Sequence, residues 1–380
     1  MFELTDDQRA LREAAREFAE REVRPRAIDL DRQGQYPAEI LGELGDRRWT
    51  GLTLSEAYGG KGGSLVDLVV LVEELSAALM PVASALALHL GVATVVERFG
   101  TGEQRERWLP EMARFETVGA LGLSEEHAGS DKSGMETTAT KVGDEWLLDG
   151  HKRWVTNYLD GDEVLVYARD DPEAPFPDGV TAFLVPTAEF DVEEVWDTMG
   201  ARPVKSPKVR LDGVRVADDR RIGPVGGAYR QRSTLSTGVN VPARGVGIAR
   251  AALEDTVAYT AEREQGGSAI GDRQGVRWRA GEMAMRVETA RLLTFRAAAL
   301  ADRGEDHRHE FAMAKVAATE AAVENANEAM QLHGGIGYTT EKHVERYLRD
   351  ARLLTLAGGP NEGHRDTLGE TTFERYRRER

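Results

Sequence analysis

Residues 331–352, Q-L-H-G-G-I-G-Y-T-T-E-K-H-V-E-R-Y-L-R-D-A-R, set three glycines, Gly334, Gly335 and Gly337, between two helical patterns. Ahead of them runs an alanine- and glutamate-rich segment, residues 312–330. A glycine turn of this kind is an ordinary helix C-cap. It also lets a backbone come close to a ligand, because no Cβ intervenes. The rest of the chain decides between the two.

Outward from this stretch the periodicity is helical on both sides. Residues 241–263, 272–303 and 309–332 read as long helices. At the other end, Thr5-x-x-Gln8 has the form of a capping box, with Leu4, Leu11, Ala15 and Phe18 at helical spacing and Pro25 closing that first helix. The glycine turn Y-G-G-K-G-G, residues 58–63, leads into an apolar helix, and Pro81 restarts the pattern. Between these helical ends, from about Val118, short apolar or alternating runs take over: 118–123, 145–148, 163–168, 180–185 and 209–216. Gly, Asp and Pro turns separate them, as in a compact antiparallel sheet. The expected organisation is α+β: a helical domain (1–117), a β domain (118–228) and a C-terminal helical bundle (229–380). Gly223-Pro-Val-Gly-Gly227 lacks the G-x-G-x-x-G spacing and gets no dinucleotide role.

Composition narrows the function. The chain has 380 residues, 41% hydrophobic and 30% charged, which suits a globular protein. Cysteine is absent, which excludes disulfides, thiolate catalysis and zinc–sulfur sites. A net charge of −16 argues against nucleic acid or an anionic membrane as partner. No run is read as apolar enough for a membrane span, and the first residues lack the features of a signal peptide, so a cytoplasmic protein is expected. Only eight of the 49 basic residues are lysine; that bias fits a GC-rich genome or a protein kept soluble at high salt.

The segment H-G-G-I-G-Y followed by E-K-H-V-E-R-Y-L-R-D-A-R closely resembles the signature of the acyl-CoA dehydrogenase flavoproteins. The resemblance extends to L-G-L-S-E-E-H-A-G-S-D (121–131), to D-G-H-K-R-W-V-T-N (149–157) and to the helix and loop up to Gln274. It implies an acyl-CoA dehydrogenase-like fold with a C-terminal four-helix bundle, bound FAD, an acyl-CoA substrate in fatty acid metabolism, and an electron-transfer flavoprotein or similar acceptor. Ser124, Gly129 and Ser130 would face the cofactor's diphosphate or ring oxygens, Trp154 would cover the flavin ring and Thr156 would bond near its N5 edge. Arg263 and Gln274, with Gln331, Gly334 and Gly335, would complete the binding face for a neighbouring subunit's cofactor, in a homotetramer or a mixed tetramer. Where the family commonly has aromatics, this chain has Gly266 and Arg273.

The same resemblance exposes a gap. Removing an α-proton needs a base, and the family's glutamate falls on Gly358, after Ala357. The family's alternate position is Thr237, beside Gly238 where an arginine is common, and residues 228–244 contain no carboxylate. Glu362 and His364 are the nearest titratable groups in sequence. Three readings follow: a dehydrogenase with a relocated base, a related flavin oxidase or monooxygenase, or a non-catalytic FAD-binding subunit of a mixed tetramer.

Overall fold

The computed structural model describes residues 3–232 and 237–378. The N-terminal part consists of α1 (Asp6–Phe18), α2 (Ala27–Gln33), α3 (Ala38–Asp46), α4 (Leu65–Phe99) and α5 (Gly102–Ala113). The capping box forms: Gln8 N–H donates to Thr5 Oγ1 at 3.2 Å, and Thr5 N–H donates to Gln8 Oε1 at 3.1 Å. Pro25 does not end the first helix. The chain passes through a π turn, Ala19–Val23, and a 3-10 turn, Arg24–Arg26, into α2, with proline at a first-turn position where no N–H is needed.

The long helix α4 bends where Leu79 leaves the helical region (φ −153°, ψ 102°), two residues before Pro81. Pro81 lacks an N–H and its ring crowds the preceding turn, which accounts for the kink. The expectation that no run is apolar enough to cross a membrane fails here. α4 has the length and a mean hydropathy of 1.9, and 83% of that window is buried inside the protein.

The middle part is one sheet of β1 (Gly119–Gly122), β2 (Thr138–Val142), β3 (Glu145–Lys152), β4 (Glu163–Arg169), β5 (Val180–Pro186), β6 (Asp191–Glu194), β7 (Lys208–Ala217) and β8 (Arg221–Ile222). Its order is β6-β7-β3-β2-β4-β5-β8, with β1 added alongside β4. The sheet is mostly antiparallel, but β1 and β2 run parallel to β4. β2 and β6 carry too few buried side chains to show in the hydrophobic pattern.

The C-terminal part holds α6 (Ala228–Arg232), α7 (Asn240–Glu262), a hairpin of β9 (Glu264–Gln265) and β10 (Ser268–Ala269), α8 (Gln274–Asp302), α9 (Arg308–His333), α10 (His343–Leu354) and α11 (Asn361–Arg378). α9 is central, packed against the four other long helices of the bundle. Its alanines let neighbours approach closely: a Cβ on Gly245 of α7 would lie 2.7 Å from the Ala318 carbonyl. Met283, Val287 and Phe295 of α8 are buried within the chain, whereas Leu292 is exposed together with Trp278 and Met285.

The R-Y-L-R-D run of α10 ties the parts together. Arg346 donates to the Ala78 carbonyl at the α4 kink (2.8 Å) and lies 3.4 Å from Asp350. Asp350 accepts the Ala201 N–H from the β part at 2.7 Å. Arg349 bonds Asp31 of α2 at 3.1 Å and Glu345 at 2.8 Å.

Candidate active site

Ser124, Trp154 and Thr156 come together at the end of β3. Arg153 N–H donates to the Ser124 carbonyl at 2.7 Å, joining the loop after β1 to the residues after β3. Trp154 has a positive φ of 59°, an unusual backbone for a bulky side chain. It stacks on Trp196 with centroids 4.1 Å apart, yet 54% of it stays exposed, which leaves a broad aromatic face open. Thr156 Oγ1 meets Ser206 Oγ at 2.9 Å. Next to it, Asn157 is buried and donates to the carbonyls of Ala85 (2.9 Å) and Gly119 (3.3 Å), which pins this shelf to α4. Gly129 and Ser130 are exposed on the loop, and a Cβ at Gly129 would meet nothing within 4 Å.

Two lysines hold this loop, and sequence reasoning singled out neither. Lys132 Nζ donates to Ser124 Oγ (3.0 Å) and the Ala128 carbonyl (2.9 Å), and also to the Gly129 carbonyl. The buried Lys152 ammonium pairs with Glu125 and donates to the Tyr167 carbonyl at 2.6 Å. Glu125 in turn accepts the Glu136 N–H at 2.6 Å and the Thr137 N–H at 3.2 Å, closing the loop on itself. Burial pushes the Lys152 pKa down, against the pull of Glu125. The available signal was the rarity of lysine in this chain.

The remaining cofactor candidates lie elsewhere. Arg263 caps α7, Gln274 opens α8, and Gln331, Gly334 and Gly335 end α9, all exposed at one end of the bundle. Tyr259 and His333 stack there at 4.4 Å and join the ends of α7 and α9. Gly334 has φ 64°, and a Cβ at Gly337 would lie 2.8 Å from the Met330 carbonyl. Among the described residues no hydrogen bond or ion pair links this group to the Ser124–Trp154 shelf.

The expected base position is a bare turn between α10 and α11. Gly358 has φ 70°, and a Cβ there would come 3.0 Å from Val241 Cγ2. His364 Nε2–H donates to the Gly358 carbonyl at 3.1 Å, and its ring lies edge-on to Phe311 at 5.4 Å. Burial first, and the nearby Lys315 ammonium, lower the His364 pKa, while the Gly358 bond raises it. Glu362 is exposed in the first turn of α11. Thr237 opens the 3-10 turn Thr237–Val239, and its side chain lies outside the described residues. A Cβ on Gly238 would meet the Phe311 ring at 2.6 Å, so that position admits no larger residue unless Phe311 moves.

Three family models cover most of the chain: the acyl-CoA dehydrogenase N-terminal domain over residues 5–116, the middle domain over 120–214 and the C-terminal domain over 227–373. The chain belongs to the acyl-CoA dehydrogenase family. It is 35% identical to the probable acyl-CoA dehydrogenase YngJ of Bacillus subtilis, over 95% of this chain and 96% of that protein. The structure of butyryl-CoA dehydrogenase from Megasphaera elsdenii superposes with a TM-score of 0.94 at 31% identity, covering 98% of this chain and 100% of that one. The FAD complex of PigA superposes at 0.92 and 26% identity, covering 99% and 100%. The chain is thus a flavoenzyme of the acyl-CoA dehydrogenase type with FAD as its cofactor.

The residues present fit that cofactor. A loop with exposed Gly129 and Ser130, the Ser124 hydroxyl and an exposed tryptophan face supply donors for a diphosphate and a surface for a planar ring.

Proposed function

We propose that this acyl-CoA dehydrogenase removes hydrogens from Cα and Cβ of an acyl-CoA thioester, with the Ser124–Trp154–Thr156 shelf as its flavin seat. FAD, when bound, supplies the hydride acceptor. The observation that carries the reading is the shelf itself: a tryptophan held at positive φ with an open face, beside a serine loop braced by Lys132 and by the Glu125–Lys152 pair. Ser124, Gly129 and Ser130 bind and orient the diphosphate side, while Trp154 excludes water from one ring face and Thr156 donates at its edge.

Proton removal is the weak step. Gly358 has no side chain and Thr237 carries a hydroxyl in place of a carboxylate, so neither family position offers a general base, which contributes about 10²- to 10⁴-fold. Turnover is therefore limited at Cα. The test is to mix purified protein with a panel of short acyl-CoAs and follow loss of flavin absorbance, with and without Gly358→Glu. The positive φ at Gly358 and the nearby Val241 oppose the new side chain, so Gly358→Glu is also made with Val241→Ala. Slow bleaching in the native chain and a rise of at least about 10²-fold in the double variant are expected. Fast native bleaching would show that a base acts from another position. FAD-loaded protein bleached by no acyl-CoA in any form would favour the second reading, an oxygen-using flavoenzyme or a partner subunit, which the empty base positions support.

A homotetramer with an electron-transfer flavoprotein as acceptor, working in the cytoplasm, completes the proposal. Arg263, Gln274 and Gln331 are exposed at the bundle end and, among the described residues, make no hydrogen bond or ion pair with their own chain's shelf. Trp278, Met285 and Leu292, seven residues apart on α8, form an exposed apolar stripe that suits a neighbouring subunit. Light scattering that returns a monomer in both low and multi-molar salt would sink the assembly.

A further inference from the structure

Among the described residues, three of the six buried cations are paired with carboxylates. Arg250 lies 3.3 Å from Glu73 and 2.6 Å from Glu74; Lys152 pairs with Glu125, and Arg346 with Asp350. Arg169, with no carboxylate partner among the described residues, instead donates to three backbone carbonyls.

Arg244 differs. It sits on α7, 3% exposed, and no carboxylate pairs with it among the described residues. Its Nη1 donates to Ser84 Oγ at 2.8 Å and approaches Met80 Sδ at 4.0 Å. Nη2 donates to Asn240 Oδ1 at 3.0 Å, and Nε reaches the Asn240 carbonyl at 3.4 Å. A guanidinium carries five N–H donors, so one Nη2 hydrogen is left over. Burial lowers the Arg244 pKa to about 10.

A second buried cation stands nearby. Lys315 Nζ donates to the Leu354 carbonyl and to Asn361 Oδ1, both at 2.8 Å, bracketing the turn that contains Gly358. It has no salt bridge among the described residues. Burial first, then repulsion from Arg244, brings its pKa to about 8, with Glu362 and Glu320 pulling the other way. Val241, which a Cβ on Gly358 would touch, is one turn of α7 before Arg244. Asn240, which holds the guanidinium, also lines a cavity of about 460 Å³ with Ala87, Leu90 and Gly91 on its side and Glu97, Asp302 and Glu305 among its other walls. Two like charges held by neutral partners next to the reacting turn are costly to bury unless an anion arrives.

We propose that the acyl group taken by this enzyme ends in a carboxylate, which docks on the Arg244 guanidinium between α4 and α7. The planar fork of arginine matches a carboxylate in a way a lysine does not. On α4, Ala87, Leu90 and Gly91 give this space an apolar stretch that suits the methylenes between thioester and acid, before Thr94, Glu97 and Arg98 make it polar. The class is an ω-carboxyacyl-CoA, and the inference rests on the acyl-CoA reading above.

The experiment is calorimetric titration of the FAD-loaded protein with glutaryl-CoA and with pentanoyl-CoA, which have the same carbon count, at fixed ionic strength. Free CoA and sodium chloride serve as controls. Glutaryl-CoA is expected to bind roughly 10- to 100-fold tighter, the range of a charge-assisted hydrogen bond in a dry site. Arg244→Met should abolish that preference and leave pentanoyl-CoA at least as tight, while Arg244→Lys should keep part of it. Equal or tighter binding of pentanoyl-CoA by the native protein overturns the carboxylate and leaves the acyl-CoA reading standing. Binding of neither thioester overturns both. Loss of the glutaryl-CoA preference in the native protein at moderate chloride, at matched ionic strength, would mean that a simple anion fills the site, and overturns it too. The native comparison decides even if an Arg244 variant does not fold.

Discussion

Two clusters of buried charge in the C-terminal part of the chain are built on opposite rules. In α10, Arg346, Arg349 and Asp350 are matched with one another, with Asp31 and Glu345, and with backbone groups at Ala78 and Ala201. Beside the Gly358 turn, Arg244 and Lys315 are held by a hydroxyl, carboxamides, carbonyls and a thioether. The first arrangement balances its charges without a ligand, although Arg346 Nε is left without a hydrogen-bond partner. The second leaves positive charge waiting. Compensation, more than burial or motif, separates scaffold from site here.

Breaking the balanced cluster should cost most. Asp350→Ala leaves Arg346 without its carboxylate and the Ala201 N–H without an acceptor. Uncompensating a buried pair costs about 3–5 kcal/mol. Urea unfolding should show that loss, with Asp350→Asn recovering part of it through the Ala201 bond. A loss below ~1 kcal/mol would mean that the cluster is not a clamp.

His89 represents a third solution, a titratable group buried neutral. Its Nε2–H donates to the Met112 carbonyl (2.8 Å) and its Nδ1 accepts the Gly119 N–H (3.1 Å), joining α4 to β1. Burial lowers its pKa from 6.5 to about 4, with the Met112 bond opposing. Between those values the unfolded chain binds the proton and the folded chain does not, so stability falls as pH drops from about 6.5 to about 4. The full contribution is about 3 kcal/mol, at 1.36 kcal/mol per pH unit. Urea midpoints at pH 7 and pH 4.5 measure it: His89→Gln should fall less than the native chain over that interval.

Contiguity decided what the sequence revealed. Trp154 and Thr156 share one short segment, and Ser124 is brought to them by a single strand pairing, so a local motif was enough to find the shelf. The capping box at Thr5 and the glycine turn at Gly334–Gly337 are likewise local. Pro25 misled because its ring fits a 3-10 turn that links two helices as readily as it ends one. α8 shows the same limit in another way: helical spacing does not reveal that Met283, Val287 and Phe295 are spent on the chain's own core while Leu292 stays exposed. Arg244 and Lys315 were invisible because each lies in an unremarkable helical run, on α7 and α9. An uncompensated charge is a statement about neighbours in space, and no spacing rule lists them.

The smallest expected effect tests the comparison most sharply. Arg244→Met removes a buried charge that has no counterion, so the desolvation penalty disappears along with the bonds to Ser84 and Asn240. Replacing buried charge by a side chain of similar volume is often neutral or stabilising. Without acyl-CoA, the variant's unfolding free energy should stay within about 1 kcal/mol of the native value, on either side. The two proteins should then diverge as glutaryl-CoA is added, since a ligand stabilises the state it binds in proportion to the logarithm of its concentration over Kd. A drop as large as that of Asp350→Ala, already present without ligand, would place Arg244 in the same structural class as Arg346 and erase the contrast. Equal stability without ligand, and a gap that opens only with the dicarboxylic thioester, is the pattern that a charge held in reserve for substrate must give.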